Sequence, residues 1–142
     1  MFTGKYIHSI DNKGRLIIPA KFREQLGDTF WVTCGLDGCL FAYDDAEWNL
    51  FAKSLSELQM GKFDNRKIER YFLGNAINVE VDKQGRILIP SQLRDTASLT
   101  KDVVLLGLGN RIEVWDKDVY EEKNTFDNMD EIAESLEGLG VW

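Results

Sequence analysis

The side chains best suited to chemistry in this chain come in two matched sets. Residues 11–23 read DNKGRLIIPAKFR and residues 82–94 read DKQGRILIPSQLR. In each, an aspartate (Asp11, Asp82) stands four residues before an arginine (Arg15, Arg86), which directly follows a glycine (Gly14, Gly85). An arginine placed just after a turn glycine projects from the turn, and its planar fork suits phosphate oxygens or the edge of a guanine. Lys13 and Lys83 add one cation to each turn. An outward carboxylate would repel phosphate, so Asp11 and Asp82 read as positioning residues: they bond the turn amides, brace the arginine, or both. The competing reading is an ion pair that only stabilises a turn, and exposed pairs contribute at most about 1 kcal/mol. Duplication weighs against it, because both copies keep the arginine while the turn tips differ (Asn12 against Lys83, Lys13 against Gln84).

Other chemistries find little support. The chain has one histidine, His8, and lacks C-x-x-C, G-x-S-x-G and G-x-x-x-x-G-K-[ST] patterns. Gly107-Leu108-Gly109-Asn110-Arg111 is glycine-rich, but the Ile112-Glu113-Val114-Trp115 that follows reads as a strand, where a phosphate-binding loop needs a helix. Cys34 and Cys39 are spaced as C-x4-C and are expected to be reduced, buried thiols. No enzyme activity, cofactor, metal site or small-molecule substrate is expected.

The repeat extends beyond these sets. Six of the thirteen positions are identical at an offset of 71, where chance gives about one. Before the turns, Tyr6, His8 and Ile10 alternate with Ile7 and Ser9, as Ile77, Val79 and Val81 do with Asn78 and Glu80. That alternation is a strand with one inward face. After them, Thr33–Leu36 and Leu40–Tyr43 match Leu105–Leu108 and Ile112–Trp115 at an offset of 72. Pro19 and Pro90 end short apolar strands and open helices over 19–26 and 90–97. Asp44 and Asp116 are N-caps. Trp48, Phe51, Leu55 and Leu58 share a helix face until Gly61, and a second helix starts near Asp64. The expected units are a first repeat (1–60), an inter-repeat helix (61–76), a second repeat (77–126) and an acidic tail (127–142).

A half of this size buries little alone. The two copies therefore complete each other as one mainly β body with short helices, with strands of one entering the sheet of the other. Both turns then lie on one rim, related by a pseudo-two-fold axis. Net charge is −7, yet residues 116–142 hold nine acids and two bases, so residues 1–115 sum to zero. Total charge therefore says nothing against a local cationic rim. No apolar run reaches the roughly 18–20 residues of a membrane span, and the N-terminus does not read as a secretory signal. A cytoplasmic location is expected.

The paired D-x-x-x-R turns, each followed by I-P-x-x-x-R, together with the M-F-x-G-x-Y-x-x-x-I-D start, closely resemble the bacterial MraZ family. More broadly they are similar to AbrB-type (SpoVT–AbrB) regulators. The resemblance spans roughly residues 1–140 and implies an α+β fold, a pseudo-two-fold double-ψ or swapped-hairpin β-barrel of two tandem AbrB-like repeats. It also implies a nucleoid-associated transcriptional regulator that binds double-stranded DNA at direct repeats upstream of the cell-division and cell-wall gene cluster. Self-assembly into a closed ring, octamer-like or larger, is part of the same implication.

On that reading Arg15, Arg86, Lys13 and Lys83 contact DNA, and Asp11, Asp82, Gly14 and Gly85 shape the turns. Arg23 and Arg94 are expected to snorkel or to pair with the nearby acids Glu24 and Asp95. The basic arm Lys62, Arg66, Lys67 and Arg70 reads as a solvated helix face or subunit contact. Three readings of the acidic tail stay open: a solvated helix, a mask over a neighbour's rim, or an apolar stripe (Met129, Ile132, Leu136, Leu139) docked on the next subunit. The rival function is an antitoxin-like or protein-binding module of the same swapped-hairpin class.

Overall fold

A computed structural model describes residues 1–141. The first repeat supplies β1 (Phe2–Ser9), β2 (Arg15–Ile17), α1 (Ala20–Leu26), β3 (Thr29–Cys34), β4 (Leu40–Tyr43) and α2 (Asp45–Ser56). α3 (Phe63–Phe72) leads into the second, with β5 (Ile77–Glu80), β6 (Arg86–Leu88), α4 (Ser91–Thr96), β7 (Asp102–Gly109), β8 (Ile112–Asp116) and α5 (Lys117–Lys123). α6 (Met129–Ala133) and a 3-10 turn, Glu134–Leu136, close the chain. Pro19 and Pro90 occupy the N-cap positions of α1 and α4. The Asp44 carboxylate accepts from the Glu47 amide at 2.8 Å and that of Asp116 from the Val119 amide at 3.2 Å, which satisfies an orphan donor at each helix start.

Four of the six named ladders join one repeat to the other. β1 pairs with β7, β3 with β5, β4 with β8 and β2 with β6, all antiparallel. The β2–β6 ladder maps onto itself under exchange of repeats: Arg15 faces Leu88, Leu16 faces Ile87 and Ile17 faces Arg86. The pseudo-axis therefore passes between Leu16 and Ile87. A second self-mapping ladder centres on Phe41 and Glu113. Cys34 faces Leu40, and Gly107 faces Ile112, so β3 and β7 correspond at an offset of 73, one more than the sequence comparison suggested.

The swapped, pseudo-two-fold α+β arrangement is present, but the expected barrel is not closed. Six strands form one sheet in the order β1-β7-β8-β4-β3-β5, and β2 and β6 form a separate two-stranded ribbon. The prolines explain the gap. Each lacks an N–H and ends its strand after three residues, so the ribbon is too short to seal the sheet edges. An isolated bridge, Ile10 to Leu16, joins the residue just after β1 to the ribbon.

The sheet is covered on both faces. One face (Val32, Cys34, Leu40, Ala42, Val103, Leu105, Ile112, Val114) packs against Leu16, Ile18, Ile87 and Ile89 and against Phe22 and Leu93 of α1 and α4. The other (Phe41, Tyr43, Val104, Trp115) packs against Trp48 and Leu55 of α2, Phe72 of α3 and Tyr120 of α5. This is why β4 is buried at every residue. α2 stops at Ser56, short of Gly61, although Leu58 still packs against that second layer. α6 has only five residues and none buried. An apolar stripe with nothing to cover it does not sustain a long helix. No helix among the described residues is long and apolar enough to cross a membrane.

Leu16 is fully buried and Ile17 is 42% exposed on the same strand. Leu16→Ala is therefore expected to cost about 2–5 kcal/mol in urea unfolding, through lost contacts and a cavity. Ile17→Ser should cost no more than about 1 kcal/mol, the span of strand propensities.

Candidate functional site

Both Asp–Arg turns fold identically. Asp11 Oδ1 accepts the amides of Lys13 at 3.0 Å and Arg15 at 2.8 Å, and its Oδ2 accepts Arg15 Nε at 2.7 Å. Asp82 accepts the amides of Gln84 and Arg86 and Arg86 Nε, each at 2.9 Å. The aspartate thus does both things open to it: it closes the turn and orients the arginine. Backbone bonds complete the loop, from the Asp11 amide to Arg15 O and from the Gly14 amide to Asp11 O, each at 3.0 Å. Each arginine is gripped through Nε. Among the described residues its Nη groups have no protein hydrogen bond, and so the outer edge of the fork is available to a ligand.

Gly14 and Gly85 take φ of +86° and +78°, which other residues rarely adopt. Space forbids a side chain as well. A Cβ on Gly14 would lie 2.8 Å from Arg94 Nε and 2.9 Å from Ile89 O, and one on Gly85 would lie 2.6 Å from Arg23 Nη1. Arg94 and Arg23 therefore sit on the turn of the opposite repeat. Arg94 Nε donates to Ile89 O at 2.9 Å, while Arg23 Nε is buried without a hydrogen-bond partner among the described residues. This corrects the expected pairing with Glu24 and Asp95, for neither acid forms an ion pair among the described residues. The contacts cross between repeats, so proximity in sequence could not reveal them.

The ribbon places the two turns together. In an antiparallel pair, facing residues point to the same side. Leu16 and Ile87 point into the core, so Arg15, Leu88, Ile17 and Arg86 share the outward face. The arginines occupy diagonal positions, about 7–8 Å apart at the backbone. Their side chains are 35% and 26% exposed. Lys13 and Lys83 are exposed in the adjoining turns. Four cations thus flank a short ribbon that holds two braced carboxylates. In the basic arm, Arg66 is engaged elsewhere: it donates to Met60 O at 2.9 Å and its guanidinium lies 5.7 Å from the centre of the Phe63 ring.

The Arg15 amide holds the Asp11 carboxyl below the usual carboxylate range, helped by the guanidinium and the Lys13 amide and opposed by partial burial. Asp82 is lowered in the same way by the Arg86 amide, the Arg86 guanidinium and the Gln84 amide. Cys34 and Cys39 are free and buried. Burial pushes the Cys39 thiol up to about 12 and raises that of Cys34, so neither is a ready thiolate.

Comparison with known proteins adds an independent finding. A family described as "MraZ protein, putative antitoxin-like" matches residues 1–71 and again 72–135. A protein of Lachnoclostridium phytofermentans named Transcriptional regulator MraZ is 51% identical, with 99% of each chain covered. Proteins of the same name from Caldanaerobacter subterraneus and Pediococcus pentosaceus are 50% identical over 99% of this chain and all of their own.

The lowered carboxyls have a consequence for stability. A folded-state pKa below the ordinary 3.8 means that each turn stabilises the fold fully above that value. The contribution is lost as pH falls through the lower folded-state value. A carbon-detected NMR titration should show Asp11 and Asp82 titrating below the ordinary 3.8 of an aspartate, and Arg15→Ala should move Asp11 upward.

Proposed function

The chain belongs to the MraZ family, and from that premise we propose that it regulates transcription by binding double-stranded DNA through the outward face of the β2–β6 ribbon. MraZ is a family of transcriptional regulators, not of enzymes. The observation that carries the reading is the common exposed face of Arg15 and Arg86, each held by its Nε and open at Nη. A two-stranded ribbon about 5 Å across fits the major groove, which is about 12 Å wide. Arg15 and Arg86 contact guanine edges or phosphates there, and Lys13 and Lys83 contact phosphates. Asp11, Asp82, Gly14 and Gly85 keep the turns in shape.

Four phosphate contacts give a log–log salt slope of about −3.6, which is weak binding at cellular salt. Several protomers on one DNA raise the affinity through effective concentration. We therefore read the protein as a closed ring, octamer-like or larger, on direct repeats spaced by about one helical turn, roughly 10 bp. Its proposed targets are the promoter repeats of the cell-division and cell-wall gene cluster, and its proposed location is the nucleoid. The surface supports self-assembly. α3 borders a groove of about 390 Å³ lined by Leu36, Ile68, Tyr71 and Phe72. The arm around it is basic, whereas the tail is acidic and exposes Met129, Ile132 and Leu139. The tail of a second copy matches this groove in apolarity, and Lys67 at its edge, beside Asp64, offers a cation to the tail's acids.

The words "antitoxin-like" in the family description favour a second reading, a protein-binding module of the same class. An arginine turn in both halves argues for the regulator, since an antitoxin usually sets one half aside for its toxin. Co-purification of a small toxin with the protein would restore the rival.

Arg15→Ala and Arg86→Ala are each expected to cost about 1–3 kcal/mol of DNA affinity in a band-shift assay on the DNA upstream of the protein's own gene. The mass in light scattering should stay unchanged. Shifting the repeats by half a helical turn should weaken binding, and equal affinity would reject the ring reading. Deleting residues 127–142 should lower the number of protomers in the assembly.

A further inference from the structure

Two apolar side chains stand between the two arginines without a reason in the fold. Ile17 is 42% exposed and Leu88 is 58% exposed. They are equivalent under the pseudo-axis, and each faces an arginine across the ribbon, Leu88 opposite Arg15 and Ile17 opposite Arg86. The core does not use them, because Leu16 and Ile87 carry the inward face at 0% and 2% exposure. Strand propensity does not require them either: threonine is as well suited to a strand, and leucine is not a strong strand former. Both copies nonetheless place an aliphatic side chain at the centre of the exposed face.

The four side chains form a small rectangle with cations at one pair of diagonal corners and aliphatic groups at the other. Each diagonal is about 7–8 Å, or roughly two steps of 3.4 Å along the DNA axis. In the major groove a guanine edge offers two acceptors to an arginine fork, and the C5-methyl of thymine is the apolar group that a base edge offers. We propose that Ile17 and Leu88 are specificity residues that pack against thymine methyl groups, two to three base pairs apart, next to the bases or phosphates held by Arg15 and Arg86. The inference rests on the DNA-binding reading above and goes beyond it: the arginines supply affinity and register, and the aliphatic pair supplies discrimination. No covalent step is involved. Removing one methyl from such a contact weakens binding by about fourfold.

The test is fluorescence anisotropy with the full-length protein. The probes are the duplex upstream of its own gene, the same duplex with every thymine replaced by uracil, and a scrambled duplex. The wild type should prefer the thymine duplex to the uracil duplex by fourfold or more. Ile17→Ser with Leu88→Ser should bind those two equally, keep its affinity for the scrambled duplex, keep its assembled mass, and stay folded with a cooperative thermal transition. Ile17→Ala with Leu88→Ala, which keeps only a short methyl, should reduce the preference for thymine, which guards against an effect of serine on the strand. A wild type that prefers the native to the scrambled duplex yet binds thymine and uracil duplexes equally would overturn the inference and leave the DNA-binding reading intact. Discrimination that persists in both variants would overturn it too. A fall in mass would instead make the pair a subunit contact. A wild type that does not prefer the native duplex to the scrambled one, or arginine variants that bind as the wild type does, would defeat the reading beneath.

Discussion

The structure depends on three rungs of backbone pairing between Arg15–Ile17 and Arg86–Leu88. This ladder is the place where the repeats meet on their pseudo-axis, and its antiparallel sense puts equivalent residues of both copies on one side. Its register is held by what lies beneath. Leu16 and Ile87 fill the core, and a slip of either strand by one residue would turn its guanidinium inward and its core aliphatic side chain outward. The cost of burying unpaired charge makes that alternative prohibitive. A common outward face for the arginines is thus enforced by hydrophobic packing on the opposite side of the same strands.

Electrostatics refines what packing sets up. An aspartate next to a surface meant for a polyanion is a liability, yet each turn keeps one. Its carboxylate is fully committed, to two amides and one Nε, and the lowered pKa reflects that commitment. The charge is spent within the turn, and the arginine is held in one orientation before any ligand arrives. Less side-chain entropy is then lost on binding. Arg23 and Arg94 close the device from the other repeat, so each turn is supported by both halves of the chain.

Much of this was legible in the residues. The turn glycines, the prolines that cut β2 and β6 short, and the caps Asp44 and Asp116 are local signals with local causes. The internal repeat carried the pseudo-two-fold pairing, since half-domains with short strands must share a core. What escaped was non-local. Whether a sheet closes depends on summed strand lengths, and here the ribbon falls short. Arg23 and Arg94 look toward Glu24 and Asp95 in sequence but lie over the other repeat's glycines in space. The apolar steps of the tail run from Met129 to Leu139, yet with no surface packed against them only Met129–Ala133 is α-helical and a 3-10 turn follows at Glu134–Leu136. The outward pointing of Ile17 and Leu88 could not be read from apolar runs, because the period-two pattern is hidden where both faces carry aliphatic residues.

The most direct test is a methyl and Arg-Nε NMR titration of the full-length protein with the duplex upstream of its own gene. The expected result is that the signals of Arg15, Ile17, Arg86 and Leu88 move together, at one DNA concentration, while the α3 arm from Lys62 to Arg70 stays still. Movement confined to that arm, or to one of the two turns alone, would contradict a shared recognition face.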